Sequence, residues 1–313
     1  MTNVLIYGAG AIGSFMGYLL SEIDRYNGRM IENVALLGKR SHIQIIKESG
    51  LRINFQEGSK LFRFQHCFPS LEDLRESEFS PSLIIVCVKT YSLSRVCNEI
   101  KASDMLMGKL KDATFILLMN GMGNRDLFDM ESCTVHEGIT SIGVLFSEDG
   151  LIELKGQGKT VLEDVIEAGI KEFIEARFKE KRFEIEFASD FRNQQWNKLF
   201  ANAVINPITA ITREKNEIVL SMELEYVVEE IIEECLSVAK EEGYLFSKIH
   251  VLESVLSVAS KTFMNTSSML QDVSNRRRTE IESINGYVIR LANEHAIPVP
   301  VNKTLFALLR VME

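Results

Sequence analysis

Short apolar runs alternate with stretches of helical periodicity through the first half of the chain, and helical periodicity alone dominates the second half. Residues 3–7 read as a strand, and a glycine-rich turn after it opens a helix that the pattern carries to about Asp24. Residues 34–37 read as a second strand, 42–49 as a helix, and 50–53 as the first arm of a hairpin turning at Glu57-Gly58. Residues 83–88 and 114–119 are buried-strand runs, 144–146 and 151–154 are further strand-like pieces, and a helix lies near 164–178. Strands that alternate with helices imply parallel pairing and a doubly wound sheet. Around Ser189-Asp190, either of which can cap a helix, the pattern changes. A strongly apolar helix follows, then helices at 219–242, ended by Gly243, at 248–263, at 279–295 and, beyond Pro298 and Pro300, at 303–311. The expected architecture is therefore α/β: a Rossmann-like doubly wound domain over residues 1–188 and an all-α domain over residues 189–313.

Chemistry enters first at the N-terminal turn. Gly8-Ala9-Gly10-Ala11-Ile12-Gly13 satisfies G-x-G-x-x-G between a strand and a helix, the context in which the motif binds a dinucleotide. Gly8 permits the turn, Gly10 lets a pyrophosphate approach the backbone, and Gly13 lets helix and strand pack closely. The helix N-terminus supplies N–H groups and positive dipole to the phosphates. After the second strand, where NAD-type sites carry an acid for the ribose hydroxyls, this chain has Lys39 and Arg40. Two cations suit a 2'-phosphate and favour NADP(H); the alternative is a pair of solvated surface cations. Residues 26–33 lengthen the connection to that strand and read as a surface loop insertion. Lys89 and Asn120 follow two further strands, at the carboxyl ends where such sheets bind ligands. They suit cofactor or substrate contacts, although polar residues also enter loops for no other reason.

The apolar helix of the second half carries the most distinctive pattern. Lys198, Asn202 and Asn206 recur every four residues among Trp196, Leu199, Phe200, Ala203, Val204 and Ile205. One ammonium and two amides thus share one stripe of a buried helix. Buried polar groups need partners, so the stripe either joins a polar network or faces a small polar ligand. Asn206 precedes Pro207, which sets it at a kink or at the helix end.

Composition narrows the classes. Net charge is -9, which disfavours nucleic acid or an anionic membrane as partner. No apolar run approaches the ~18 residues that a membrane helix needs. The five cysteines are scattered and odd in number, which predicts free thiols and a reducing, cytoplasmic setting, with no leader peptide expected. The five histidines show no metal-ligand spacing, so no metal is expected. Arg276-Arg277-Arg278 reads as a solvated face or as a set of ion pairs with the Glu-rich helix, with a direct role towards cofactor phosphate the weaker reading, and the long helices leave packing within the domain or across a homodimer both open.

Taken with Val88-Lys89, Asn120-Gly121-Met122-Gly123 and Trp196-Asn197-Lys198…Asn202…Asn206-Pro207, the glycine motif resembles that of the ketopantoate reductase (2-dehydropantoate 2-reductase) family. The likeness extends to Thr266-Ser267-Ser268-Met269-Leu270-Gln271-Asp272, Arg278-Thr279-Glu280-Ile281 and Asn285-Gly286, and so covers essentially the whole chain. It implies a Rossmann domain, a helical domain like that of 6-phosphogluconate dehydrogenase, and NADPH-dependent reduction of ketopantoate to (R)-pantoate, a step towards pantothenate and coenzyme A. It also implies roles: Lys198 as general acid, Glu280 as the acid beside it and the cofactor, Lys89 and Asn120 as cofactor contacts, and Asn120 as a substrate contact too. Asn202, Asn206 and Asn216 would touch substrate, and Ser268 would bind its carboxylate. The chain departs from the family in having Lys39 at the place of a single Arg, and Arg125 where many relatives have an acid. Those departures leave open a paralogous 2-oxo acid reductase. A non-catalytic NADP(H)-binding regulator is the alternative from another class.

Overall fold

The computed structural model describes residues 2–22, 31–130 and 133–313. The expected loop insertion at 26–33 lies largely outside them, as does the expected end of the first helix near Asp24. The chain divides into two compact units, one of residues 1–119 and 124–191, the other of residues 120–123 and 192–313.

The first unit holds the strands β1 (Val4–Tyr7), β2 (Ile31–Leu37), β3 (Leu51–Phe55), β4 (Gly58–Phe62), β5 (Phe64–Phe68), β6 (Leu83–Val86), β7 (Thr114–Leu118), β8 (Thr134–Thr140), β9 (Gly143–Glu148), β10 (Leu151–Gly156), β11 (Thr160–Glu163) and β12 (Ile185–Ala188). Its helices are α1 (Ala11–Leu20), α2 (Arg40–Ser49), α3 (Leu71–Glu76), α4 (Leu93–Ala102), α5 (Asn124–Leu127) and α6 (Ala168–Glu180). Among the described residues the main sheet runs β12-β11-β8-β7-β6-β1-β2-β5. Six strands from β5 to β8 are parallel, and β1 lies between β2 and β6. The chain therefore reverses its winding at β1, and the loop after β1 sits at the switch point where doubly wound sheets bind ligands. Burial explains the composition: Val4, Leu5, Ile6, Leu83, Ile84 and Val86 are fully buried, as strands covered on both faces must be.

The expected hairpin at Glu57-Gly58 is present as β3–β4. It pairs through β3 with β10, of the β9–β10 hairpin, in a separate four-stranded sheet ordered β4-β3-β10-β9. All five cysteines are free. No described helix is long and apolar enough to cross a membrane.

The second unit contains α7 (Phe191–Thr212), α8 (Glu225–Glu241), α9 (Lys248–Lys261), α10 (Ser268–Ser274), α11 (Asn285–Glu294) and α12 (Pro300–Met312). Its core gathers Trp196, Phe200, Ala203 and Val204 from α7 with Ile231, Cys235 and Val238 from α8, Val288 from α11 and Leu309 from α12. Three expectations change here. The helix expected at 279–295 spans only Asn285–Glu294, after a 3-10 turn at Ile281–Ser283. The helix expected at 219–242 begins as two 3-10 turns, Asn216–Leu220 and Met222–Leu224, because Ser221 between them is extended. The helix α7 does not end at Asn206: it continues through Pro207 to Thr212.

Candidate active site

In the first unit the glycine turn has the form its sequence demands. Gly8 sits at φ +102°, a conformation that a side chain would strain. A Cβ on Gly13 would fall 2.1 Å from the Gly8 carbonyl oxygen, so α1 packs directly onto the turn only because Gly13 has none. Among the described residues, a Cβ on Gly10 would meet nothing within 4 Å beyond its immediate chain neighbours. No side chain caps α1, whose first residues are Ala11, Ile12 and Gly13, and the first N–H groups of a helix have no intrahelical acceptor. Ala9 is buried, and its N–H donates to the Leu37 carbonyl at the end of β2. An open backbone cradle at a helix N-terminus, on the switch strand, fits a dinucleotide pyrophosphate.

Lys39 and Arg40 follow β2 and are both exposed at the start of α2. The Lys39 ammonium lies 3.5 Å from the Asp149 carboxylate on the β9–β10 turn. Behind this rim, buried His42 ties three elements together. Its Nδ1 accepts from the Gly150 N–H at 2.9 Å, so its Nε2 carries the proton and faces Ser14 Oγ of α1 at 3.0 Å. Lys89 is half-buried in the loop after β6, and its neighbour Thr90 donates through Oγ1 to the Asn124 side chain at 3.2 Å.

In the second unit, three polar side chains form a chain. Lys198 Nζ donates to Asn120 Oδ1 at 3.0 Å, and Asn120 Nδ2 donates to Glu280 Oε2 at 3.1 Å. The two bonds fix the amide of Asn120, because its oxygen must face the ammonium and its nitrogen the carboxylate. Lys198 is half-buried by surface, with its ammonium end deep among neighbouring groups. That burial pushes its pKa down to about 8, against the opposing pull of the Glu280 charge. Glu280 is itself buried. Asn120 owes its position to the turn it opens. The Met122 N–H donates to the Ser283 carbonyl at 3.0 Å, and Met122 is buried in the helical core. Gly121 lies at φ +76°, where a Cβ would sit 2.2 Å from the Ser283 oxygen. This close docking is why Asn-Gly-Met-Gly groups with the helical unit although β7 leads into it.

The other expected residues divide. Asn202 is half-buried and Asn206 buried, both on α7 with Lys198. Asn216 starts the first 3-10 turn, where its Nδ2 donates to Thr262 Oγ1 at 2.9 Å and its buried Oδ1 has no donor. Ser268 is exposed as the first residue of α10, and the cap of that helix is Ser267, whose Oγ accepts from the Leu270 N–H at 3.1 Å. Ser267 also shares a 2.7 Å hydrogen bond with Thr209 Oγ1 on α7, a link between Ser268 and the stripe helix that sequence reasoning missed. Among the described residues no group of three or more His, Cys, Asp or Glu side chains can hold a metal.

An ammonium of lowered pKa, held by an amide and flanked by a carboxylate, can deliver a proton to an oxygen that is gaining negative charge. Comparison with known proteins gives this arrangement a context. Residues 4–167 match the family model described as ketopantoate reductase PanE/ApbA, and residues 190–313 match that of its C-terminal domain. A 2-dehydropantoate 2-reductase of Pyrococcus horikoshii is 31% identical, over 99% of this chain and 97% of its own. One from Archaeoglobus fulgidus is 30% identical, over 99% and 98%. The crystal structure of a PanE/ApbA family ketopantoate reductase from Ralstonia eutropha superposes with a TM-score of 0.86 at 25% identity, covering 99% of this chain and 98% of that one. A D-mandelate dehydrogenase, solved with NADH and anilino(oxo)acetate, shares the fold at a TM-score of 0.85 and 23% identity over 99% and 98% of the two chains.

Proposed function

Since this chain belongs to the ketopantoate reductase PanE/ApbA family, we propose that it reduces 2-dehydropantoate to (R)-pantoate with NADPH, Lys198 acting as general acid. The observation that carries this reading is the chain of hydrogen bonds Lys198–Asn120–Glu280. The family relationship does not by itself identify a proton donor, whereas this chain of hydrogen bonds offers a cationic one with its direction set.

A reduced nicotinamide supplies a hydride when bound, and the remaining work falls to side chains. As the substrate carbonyl becomes an alkoxide, Lys198 Nζ offers positive charge and then a proton to its oxygen. Asn120 holds the ammonium in place by accepting a hydrogen bond from it. Glu280 favours the protonated amine and so opposes the burial that would empty it. Asn202 and Asn206 carry amides that both donate and accept, which suits a substrate with hydroxyl and carbonyl oxygens. An amide left unpaired by a 2-oxo acid lacking the hydroxyl would penalise that acid, and this is the basis of selectivity. The Asn216 oxygen without a donor is a further acceptor for such a hydroxyl. Ser268 would meet the carboxylate. The glycine turn would cradle the pyrophosphate, with Lys39 and Arg40 meeting the 2'-phosphate and Lys89 a further cofactor group.

A panel of 2-oxo acids assayed with NADPH and with NADH tests the substrate and cofactor together. Ketopantoate with NADPH should give the highest kcat/KM; a better 2-oxo acid in the panel would make the protein a paralogous reductase. Replacing Lys198 with Ala should lower turnover by at least roughly a hundredfold, the scale of a general acid. Turnover unchanged in K198A would sink the mechanism.

A further inference from the structure

The helix α7 carries Lys198, Asn202 and Asn206, yet it has a proline in its interior at position 207. Proline has no N–H, so the carbonyl four residues earlier, that of Ala203, loses its helical donor. Ala203 is fully buried, and a buried carbonyl without a donor is costly. The donor comes from another helix: Asn285 Nδ2 reaches the Ala203 oxygen at 3.0 Å. The second hydrogen of the same amide goes to Asn302 Oδ1 at 2.9 Å. Asn302 in turn donates through Nδ2 to Glu234, at 2.7 Å. Glu234 also accepts from the N–H groups of Val301 and Asn302 at the start of α12, at 2.8 and 2.9 Å. Asn285 and Asn302 have no exposed surface, and Glu234 is buried. The direction of the network is fixed. Each amide must present its nitrogen to the next acceptor, and a flipped Asn285 would set its oxygen against two others.

Ala203 lies between Asn202 and Asn206. A proline disturbs the helical turn that precedes it, and in α7 that turn runs from Ala203 to Asn206, inside the stripe. What holds the Ala203 carbonyl decides how the part of α7 bearing Lys198 and Asn202 stands to the part bearing Asn206 and Thr209. Asn285 also follows Glu280 and Ser283 by a few residues, in the segment that places Asn120.

We propose that Asn285 is a positioning residue for the reaction: it holds the carbonyl that Pro207 strands in the middle of α7, and so fixes Asn202 and Asn206 relative to Lys198. This rests on the reductase reading above. It requires that Pro207 and Asn285 act as one device, and that is what a double-mutant cycle measures. In P207A the backbone at position 207 regains an N–H that can donate to the Ala203 oxygen, and Asn285 is no longer needed there.

The experiment compares wild type, N285A, P207A and P207A/N285A, with kcat and KM for ketopantoate, NADPH affinity by fluorescence, and melting temperature for each. In the wild-type background N285A should lower kcat/KM for ketopantoate roughly ten- to hundredfold, the effect of a misplaced contact, with NADPH affinity changed less than about twofold. In the P207A background the same substitution should cost less than about threefold, because the two sites are coupled. An equal cost in both backgrounds overturns the proposal, and so does a parallel loss of NADPH affinity and turnover, which would report general destabilisation. N285S, which keeps one donor, replaces N285A in the cycle if the alanine variant does not fold. Should wild type reduce no ketopantoate, the reductase reading fails, and the cycle is then read in melting temperature, where non-additivity supports the Pro207–Asn285 link and additivity removes it.

Discussion

Lys198 sets the clearest expectation at the scale of single residues. A general acid must carry its proton, and burial has brought this ammonium down to about 8. The rate of ketopantoate reduction should thus be flat below that pH and fall tenfold per pH unit well above it. A plot of log kcat/KM for ketopantoate against pH, which reports groups of the free enzyme, tests this, and a profile flat to pH 10 would remove Lys198 from the proton transfer. The stripe itself was legible because a period of four on a helix needs only local geometry. Its partners were not. Asn120 lies 78 positions away from Lys198 in the sequence and meets it only through a turn docked on Ser283. The motif Asn-Gly-Met-Gly was visible, but the reason for Gly121 was not: a Cβ there would strike the Ser283 backbone. Asn285 was visible as part of a motif too, and its task emerges only once Pro207 is seen inside a continuous helix.

Elements were legible where one physical rule governs them and obscure where two compete. The strands β1 and β6, and β7 after its first residue Thr114, are unbroken apolar runs that are buried, and their sequences say so. The strands β5 and β8 interleave His, Gln, Glu and Thr with apolar residues, and tertiary pairing decides them more than periodicity does. The β3–β10 pairing joins two hairpins far apart in sequence, which no local pattern announces. One consequence of that second sheet can be measured. Its Gly150 turn is tied by His42 to α2 and α1, and burial pushes the His42 pKa down to about 4, with the Lys39 charge in the same direction and Asp149 opposing. The unfolded chain takes up this proton near pH 6.5 and the folded one only near 4, so stability falls as pH drops from about 6.5 to 4. The full loss is about 3.5 kcal/mol at most, since each pKa unit is worth about 1.4 kcal/mol. Melting midpoints at pH 7 and pH 4.5 should therefore differ more for wild type than for H42Q, and equal differences would show that His42 takes up its proton alike in the folded and unfolded states.

At the scale of the whole molecule, the change of periodicity near Ser189 tells the sheet-bearing unit from the helical one without any tertiary structure being known. The placement of residues 120–123 with the helices could not be read that way, since β7 leads into them without a break. The proposed roles follow the same division. The glycine turn, Lys39, Arg40 and Lys89 all belong to the first unit; Lys198, Asn202, Asn206, Asn216 and Ser268 belong to the second. On the proposed reading, binding of the phosphates and transfer of the proton fall to residues of units that have separate hydrophobic cores. Separate cores make substitutions in one unit close to independent of those in the other, as distant sites usually are. In NADPH titrations followed by fluorescence, K39A/R40A should raise Kd by roughly tenfold or more, since each charge-assisted hydrogen bond to a phosphate is worth on the order of 1.5–3 kcal/mol before solvent screening. With NADH, which lacks the 2'-phosphate, the same pair should change Kd little. K198A should leave the NADPH Kd within about twofold, the ~0.5 kcal/mol scale of additivity error, while its turnover is lost. A K39A/R40A protein that weakens NADH and NADPH alike would mean that these two cations support the turn as a whole and do not read the 2'-phosphate.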